Sequence, residues 1–215
     1  MYIIDQTYFI KELSIPNLNE MDSDTLSSLD VMVDDYVRLL LQNLLGYELF
    51  NDLDSNIENG VLKEDAAQKW VDLVNGVEYT KDSKTHFWNG LIYKRGLHNH
   101  SLLAKYVFYY WLKDSVSLLT GTGEKSITAS NMIAVNSNQR MLNVWNSFVE
   151  DYQYNYCKTL APSEYYHNGV LIIDWLGNNQ KENQYVSLVK FISDHESDYP
   201  NAPKMLYNEQ NQLGL

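Results

Sequence analysis

The feature that most constrains the fold is the stretch 23–53, where apolar residues recur at three- and four-residue spacing up to a glycine and resume beyond it. Leu26, Leu29, Val33, Tyr36, Val37, Leu40, Leu44 and Leu45 share one stripe of a helix, while Asp30, Asp34, Asp35, Arg38 and Gln42 fall on the other side. A helix of this kind is stable only with its stripe buried against something else. Ser23 or Asp24 can accept hydrogen bonds from its first free N–H groups, and Gly46 can adopt the left-handed conformation that closes it. Tyr47-Glu48-Leu49-Phe50 then opens a second, short helix over 47–58.

The rest of the chain continues mainly in helical patterns. Residues 62–74 read as a third helix ending at Asn75-Gly76. Residues 77–88 break the pattern, and their two apolar runs flank Lys81-Asp82-Ser83-Lys84, which predicts a small hairpin with a four-residue polar turn. Residues 101–119 predict a helix that is apolar or aromatic nearly all round, hence buried on several sides. A polar loop is expected over 120–138, then a fifth helix over 138–159 with Met141, Trp145, Phe148, Tyr152 and Tyr156 on one face. Residues 170–175 fit either a short buried strand or a helix start, and 182–193 read as helical. Beyond Asp194 periodicity is lost, and Pro200 and Pro203 intervene. The expected architecture is mainly α: a helical bundle with a small β-hairpin, forming one domain over 1–193, and an extended C-terminal arm over 194–215 in which Met205, Leu206 and Tyr207 make a compact apolar anchor for a neighbouring surface.

Charge narrows the function classes. Of the net charge of −12, residues 1–60 carry −10, with twelve acidic and two basic side chains, whereas residues 61–193 carry +1. An acidic segment of this size repels nucleic acid, whose binding gains affinity by releasing counterions to Lys and Arg. No apolar run reaches the roughly 18 residues of a membrane span, so no membrane partner is expected. The first residues lack the basic and apolar regions of a secretory signal. The single Cys157 cannot form an intramolecular disulfide, which fits assembly in a reducing cytoplasm.

Motifs that could carry chemistry do not assemble into a site. His98-Asn99-His100 spells HNH, but a nuclease of that name needs residues spread over a longer fold, and two histidines before a helix need carboxylates to hold a metal. Asn99 can instead cap the following helix. Gly121-Thr-Gly123-Glu124-Lys125-Ser126 is superficially similar to a phosphate loop, yet Glu124 stands where glycine must precede the lysine. Asn99-His100-Ser101 matches a glycosylation sequon that carries no weight without a secretory signal. Cys157 reads as packing, and Asp34-Asp35 and Glu150-Asp151 as exposed pairs with nothing to raise a carboxyl pKa. No catalytic residue, cofactor or metal is expected, and the chain is not read as an enzyme. What remains is an aromatic surplus of 17 Tyr and 5 Trp. Because Tyr109, Tyr110 and Trp111 are consecutive, one helix face cannot bury all three, and surplus aromatics favour interfaces. Trp88, Tyr109, Trp111, Met205, Leu206 and Tyr207 are therefore the candidates for a subunit or partner interface.

Leu39-Leu-Leu-Gln-Asn-Leu-Leu-Gly46-Tyr-Glu-Leu-Phe50-Asn-Asp-Leu53 resembles the N-terminal helical part of tailed-bacteriophage head-to-tail connector proteins, the adaptor or neck-ring family. Phe87-Trp-Asn-Gly-Leu-Ile-Tyr93 and Tyr109-Tyr-Trp-Leu-Lys-Asp-Ser115 look like the same family in phages of Bacteroidetes-type hosts. The likeness covers about residues 24–150. It implies a virion structural protein, assembled in the host cytoplasm, that forms a homo-oligomeric ring, usually twelvefold, below the portal protein and against other neck or tail proteins. DNA would pass non-specifically through the centre, where like charge keeps it mobile. Two other classes remain open: an intracellular helical enzyme or nucleotide-binding module using His98, His100 or the Gly121 loop, and a monomeric helical regulator that binds one protein.

Overall fold

The structure, a computed structural model, describes residues 3–15, 18, 23–115, 117–120, 123–126, 137–153, 166–167, 170–171 and 186–210. The capping side chains of Ser23 and Asp24, the Lys125 side chain, Cys157 and residues 127–136, 172–185 and 211–215 lie outside that description.

The first helix, α1 (Ser23–Leu45), buries Leu29, Val33, Val37, Leu40, Leu41, Leu44 and Leu45 in the core, as its stripe requires. Each such leucine contributes about 1.5–3 kcal/mol when removed from water. Gly46, with φ +78°, turns the chain into α2 (Tyr47–Ser55), and a Cβ there would lie 3.2 Å from the Pro203 ring. Helices α3 (Gln68–Asn75), α4 (Leu102–Ser115), α5 (Ser137–Gln153) and α6 (Leu188–Asp194) follow. Packed against α1 on one side and α5 on another, α4 absorbs its aromatic run on more than one side. Tyr110 stacks on Tyr36 of α1 at 4.2 Å, Tyr109 meets Trp145 of α5 at 4.5 Å, and Trp111 stacks on Phe108 at 5.5 Å.

Between the helices lie two-stranded antiparallel ladders that join no larger sheet among the described residues: β1 (Ile57–Glu58) with β2 (Val61–Leu62), β3 (Val77–Lys81) with β4 (Lys84–Trp88), and β5 (Ile92–Arg95) with β6 (His98–Ser101). Two more pair β7 (Ser117–Thr120) with β8 (Gly123–Ser126), and β9 (Tyr166–His167) with β10 (Val170–Leu171). The fold is therefore mixed, and the expectation of a mainly helical bundle with one hairpin is corrected. The expected hairpin over 77–88 is present, but Lys81 pairs with Lys84, so its turn is the two residues Asp82 and Ser83, both at positive φ. The third helix starts at Gln68 instead of 62, because Asn59-Gly60 closes a tight hairpin that carries residues 57–62 as strand. Asn-Gly is the strongest short hairpin signal in a sequence, and it outweighs the helix-favouring Lys63-Glu64-Asp65-Ala66-Ala67. The loop expected from 120 contains β8, and the fifth helix is described to Gln153.

The C-terminal segment also differs from the expected arm. Residues 202–210 form neither helix nor strand, but they lie along their own chain. The Lys204 and Met205 N–H groups donate to the Leu44 and Asn43 carbonyls at the end of α1, at 3.0 and 3.2 Å. The Trp145 indole, the Tyr152 hydroxyl and the Gln153 amide of α5 donate to the carbonyls of Asn208, Met205 and Tyr207. The Tyr207 ring sits among Tyr106, Trp145, Phe148 and Tyr152 at 5.1–6.0 Å. Burial raises the Tyr106 and Tyr152 phenols far above their ordinary range, so both stay un-ionised inside this nest.

Leu44 is fully buried where α1 meets both α2 and the C-terminal segment. Leu44→Ala should cost about 2–5 kcal/mol in chemical denaturation. A loss below about 0.5 kcal/mol, within the range of surface changes, would show that the site is not packed.

Candidate functional site

Three places on the molecule combine exposure with chemistry: a polar cleft beside β6, an outward face of α1 with the nearby C-terminal segment, and the tip of the β5–β6 hairpin.

The cleft forms because the N-terminal residues are tied across the ends of other elements. Arg140 of α5 donates to the Glu12 and Ser14 carbonyls at 2.8–3.0 Å, and the Asn99 amide donates to the Thr7 hydroxyl at 2.6 Å. Between this strap, the β5–β6 hairpin, α4 and α5 lies a cleft of about 340 Å³ lined by Tyr8, Tyr93, Arg95, His100, Lys105 and Asp151 among others. Lys105 is held by Asp151 at 2.5 Å and by the Ser147 hydroxyl at 2.8 Å. His100 stacks on Tyr93 at 5.4 Å, and its Nε2 is buried with no hydrogen-bond partner among the described residues. Burial, reinforced by the Lys11 cation, lowers the His100 pKa, while burial and the Asp151 charge push the Tyr93 phenol up to about 12. At neutral pH the cleft thus holds a neutral imidazole, a neutral phenol and a paired lysine. Ser101, at its floor, donates to the Leu91 carbonyl and accepts from the Leu103 N–H, so both functions of its hydroxyl are engaged. That makes Ser101, not Asn99, the residue that caps α4. The arrangement can hydrogen-bond a small polar group, but its two serines are engaged in structure. Among the described residues no three His, Cys, Asp or Glu side chains converge on a point that could hold a metal.

The outward face is apolar with a charge at its centre. Val31 and Leu39 of α1 are 58% and 42% exposed, with exposed Asp35 one turn from each. Asn43, one turn beyond Leu39, carries Met205 on its carbonyl, and Met205 and Leu206 are 51% and 63% exposed. A third exposed feature is the tip of the β5–β6 hairpin, where Leu97 is 98% exposed beside Lys94, Arg95 and His98.

The sequence candidates divide accordingly. Trp88 is buried, donating its indole N–H to the Leu73 carbonyl at 2.9 Å and stacking on Phe191. Tyr109 is buried against Trp145, Trp111 is half-buried on Phe108, and Tyr207 lies in the aromatic nest. Trp88 and Tyr109 therefore offer almost no surface to a partner, because neighbouring helices and α6 supply the additional packing faces. Met205 and Leu206 do face outward. His98 and His100 share one face of β6, His98 at the exposed tip and His100 in the cleft. Sequence reading missed Val31, Leu39, Arg95 and Leu97. The first two are apolar residues off the buried stripe, and the last two border Gly96, at φ +65°, in the first central position of a two-residue turn.

No helix among the described residues is long and apolar enough to cross a membrane. Compared with known protein families, curated proteins and solved structures, the chain finds no match in any of the three.

A His100 imidazole whose folded pKa is depressed makes stability that is present above about pH 6.5, its unfolded value, and lost as pH falls from there through the folded value. NMR titration of the folded protein should place its midpoint below about 6.5. A midpoint at or above that value would mean that the cleft is open to water and leaves the ring solvated.

Proposed function

We propose that this chain is a structural subunit of a tailed-bacteriophage head-to-tail connector, assembling as a ring below the portal and joining capsid to tail around the DNA channel. The observation that carries the reading is the resemblance of residues 39–53 to that family, together with the physical use these residues have here. They build the Gly46 elbow between α1 and α2, and the elbow receives Pro203 and the C-terminal segment. Three further features support it. The acidic charge is concentrated in the first 60 residues, which suits a surface that lets DNA slide past without sticking. Apolar side chains stand exposed on α1, on the C-terminal segment and on a hairpin tip, as a subunit with neighbours requires. The polar side chains of the cleft are largely engaged with one another and with the backbone, Lys105 with Asp151 and Ser147 and Ser101 with Leu91 and Leu103, which suits a scaffold.

Co-expression of the chain with the portal protein of the same phage, followed by native mass spectrometry and electron microscopy, tests the reading. The expected product is a closed ring of this chain, about twelvefold as the resemblance implies, stacked on the portal. A chain that stays unassociated with portal, and that is missing from purified virions by peptide mass spectrometry, would contradict it.

A further inference from the structure

Two of the exposed surfaces have opposite character on one molecule. The β5–β6 tip is cationic and apolar: Lys94 and Arg95 flank Leu97, and the strands 92–101 contain no acidic residue. The α1 face is anionic and apolar, with Asp35 between Val31 and Leu39, in the part of the chain that carries −10. Neither Lys94 nor Arg95 makes an ion pair among the described residues, and neither does Asp35. At the tip itself Leu97 is 98% exposed, and Arg95 beside it is exposed where it borders the cleft.

We infer that adjacent copies of this chain join head to tail, with the β5–β6 tip of one copy seating Arg95 and Leu97 against Val31, Asp35 and Leu39 of the next. The inference rests on the ring reading and specifies its contact. A second copy is the occupant because each surface supplies what the other lacks: a carboxylate for the guanidinium and an apolar shelf for the leucine. Complementary patches at different places on one molecule make a heterologous contact, which closes into a ring when the rotation permits. A DNA backbone would satisfy Lys94 and Arg95, but it offers nothing to a wholly exposed leucine. Met205 and Leu206 extend the same face beyond Asn43, so the docked C-terminal segment enlarges the shelf instead of reaching across to a neighbour.

Two full-length variants test the contact by sedimentation across a concentration series. One has a blunted tip, Arg95→Ser with Leu97→Ser; the other has a blunted face, Asp35→Ser with Leu39→Ser. All four positions are exposed, so both variants should unfold at the wild-type midpoint. The wild type should form species larger than a dimer. Each variant alone should associate about tenfold or more weakly. An equimolar mixture should form a dimer and nothing larger, since it contains one intact tip matched to one intact face. If both variants assemble like the wild type, the contact is wrong while the ring reading stands on the portal experiment. A wild type that stays monomeric at every concentration overturns the contact as well, again without deciding the portal result. Loss of affinity for a random-sequence DNA duplex in the tip variant, with self-association intact, would reassign the tip to phosphate and overturn the inference.

Discussion

The end of α1 sets the rest of the structure. A helix leaves its last carbonyls without intrahelical partners, and here Gln42 finds Gly46 while Asn43 and Leu44 receive the N–H groups of Met205 and Lys204 from the other end of the chain. Gly46 makes this possible twice over: its positive φ turns α2 away, and its missing Cβ lets Pro203 approach. Once the segment is anchored there, its carbonyls meet the donors of α5 and Tyr207 drops into the aromatic nest between α4 and α5. Two ends of the sequence that are far apart in the chain thus close one core.

The same closure explains which parts of the fold could be read in advance. The α1 stripe, the Gly46 break and the 77–88 hairpin were legible because their signals are local: apolar periodicity, a glycine, a polar turn between two apolar runs. The β1–β2 ladder was legible too, in Asn59-Gly60, but the helix formers beyond it masked the signal. The docking of 202–210 was not, because no local pattern distinguishes an extended segment seeking a neighbour from one lying in a groove of its own chain. Trp88 and Tyr109 were misplaced for a related reason. A single helix or hairpin cannot bury consecutive aromatics, but α4 between α1 and α5, and β4 with α6 over it, can.

Function follows the surfaces that closure leaves over. The cleft at His100 is polar and charge-balanced, with its serine hydroxyls committed to Lys105 and to the start of α4. Exposed apolar side chains lie elsewhere, on the outer side of α1 with Met205 and Leu206, at Leu97, and at Tyr47 and Val61. With residues 202–210 docked on its own α1 and α5, and opposite charges beside Leu97 and beside Val31 and Leu39, the chain has surfaces suited to the proposed contact between copies without an exchange of segments.

Whether the C-terminal segment belongs to the core of the single subunit is measured most directly by comparing the denaturant unfolding of the full chain with that of a chain ending at Asn201. Loss of Tyr207 from the aromatic nest and of the donors to Asn43 and Leu44 should lower stability by about 3 kcal/mol or more. An unchanged midpoint and slope in the shortened chain would contradict this, and would mean that residues 202–210 are held by a neighbour and not by α1 and α5.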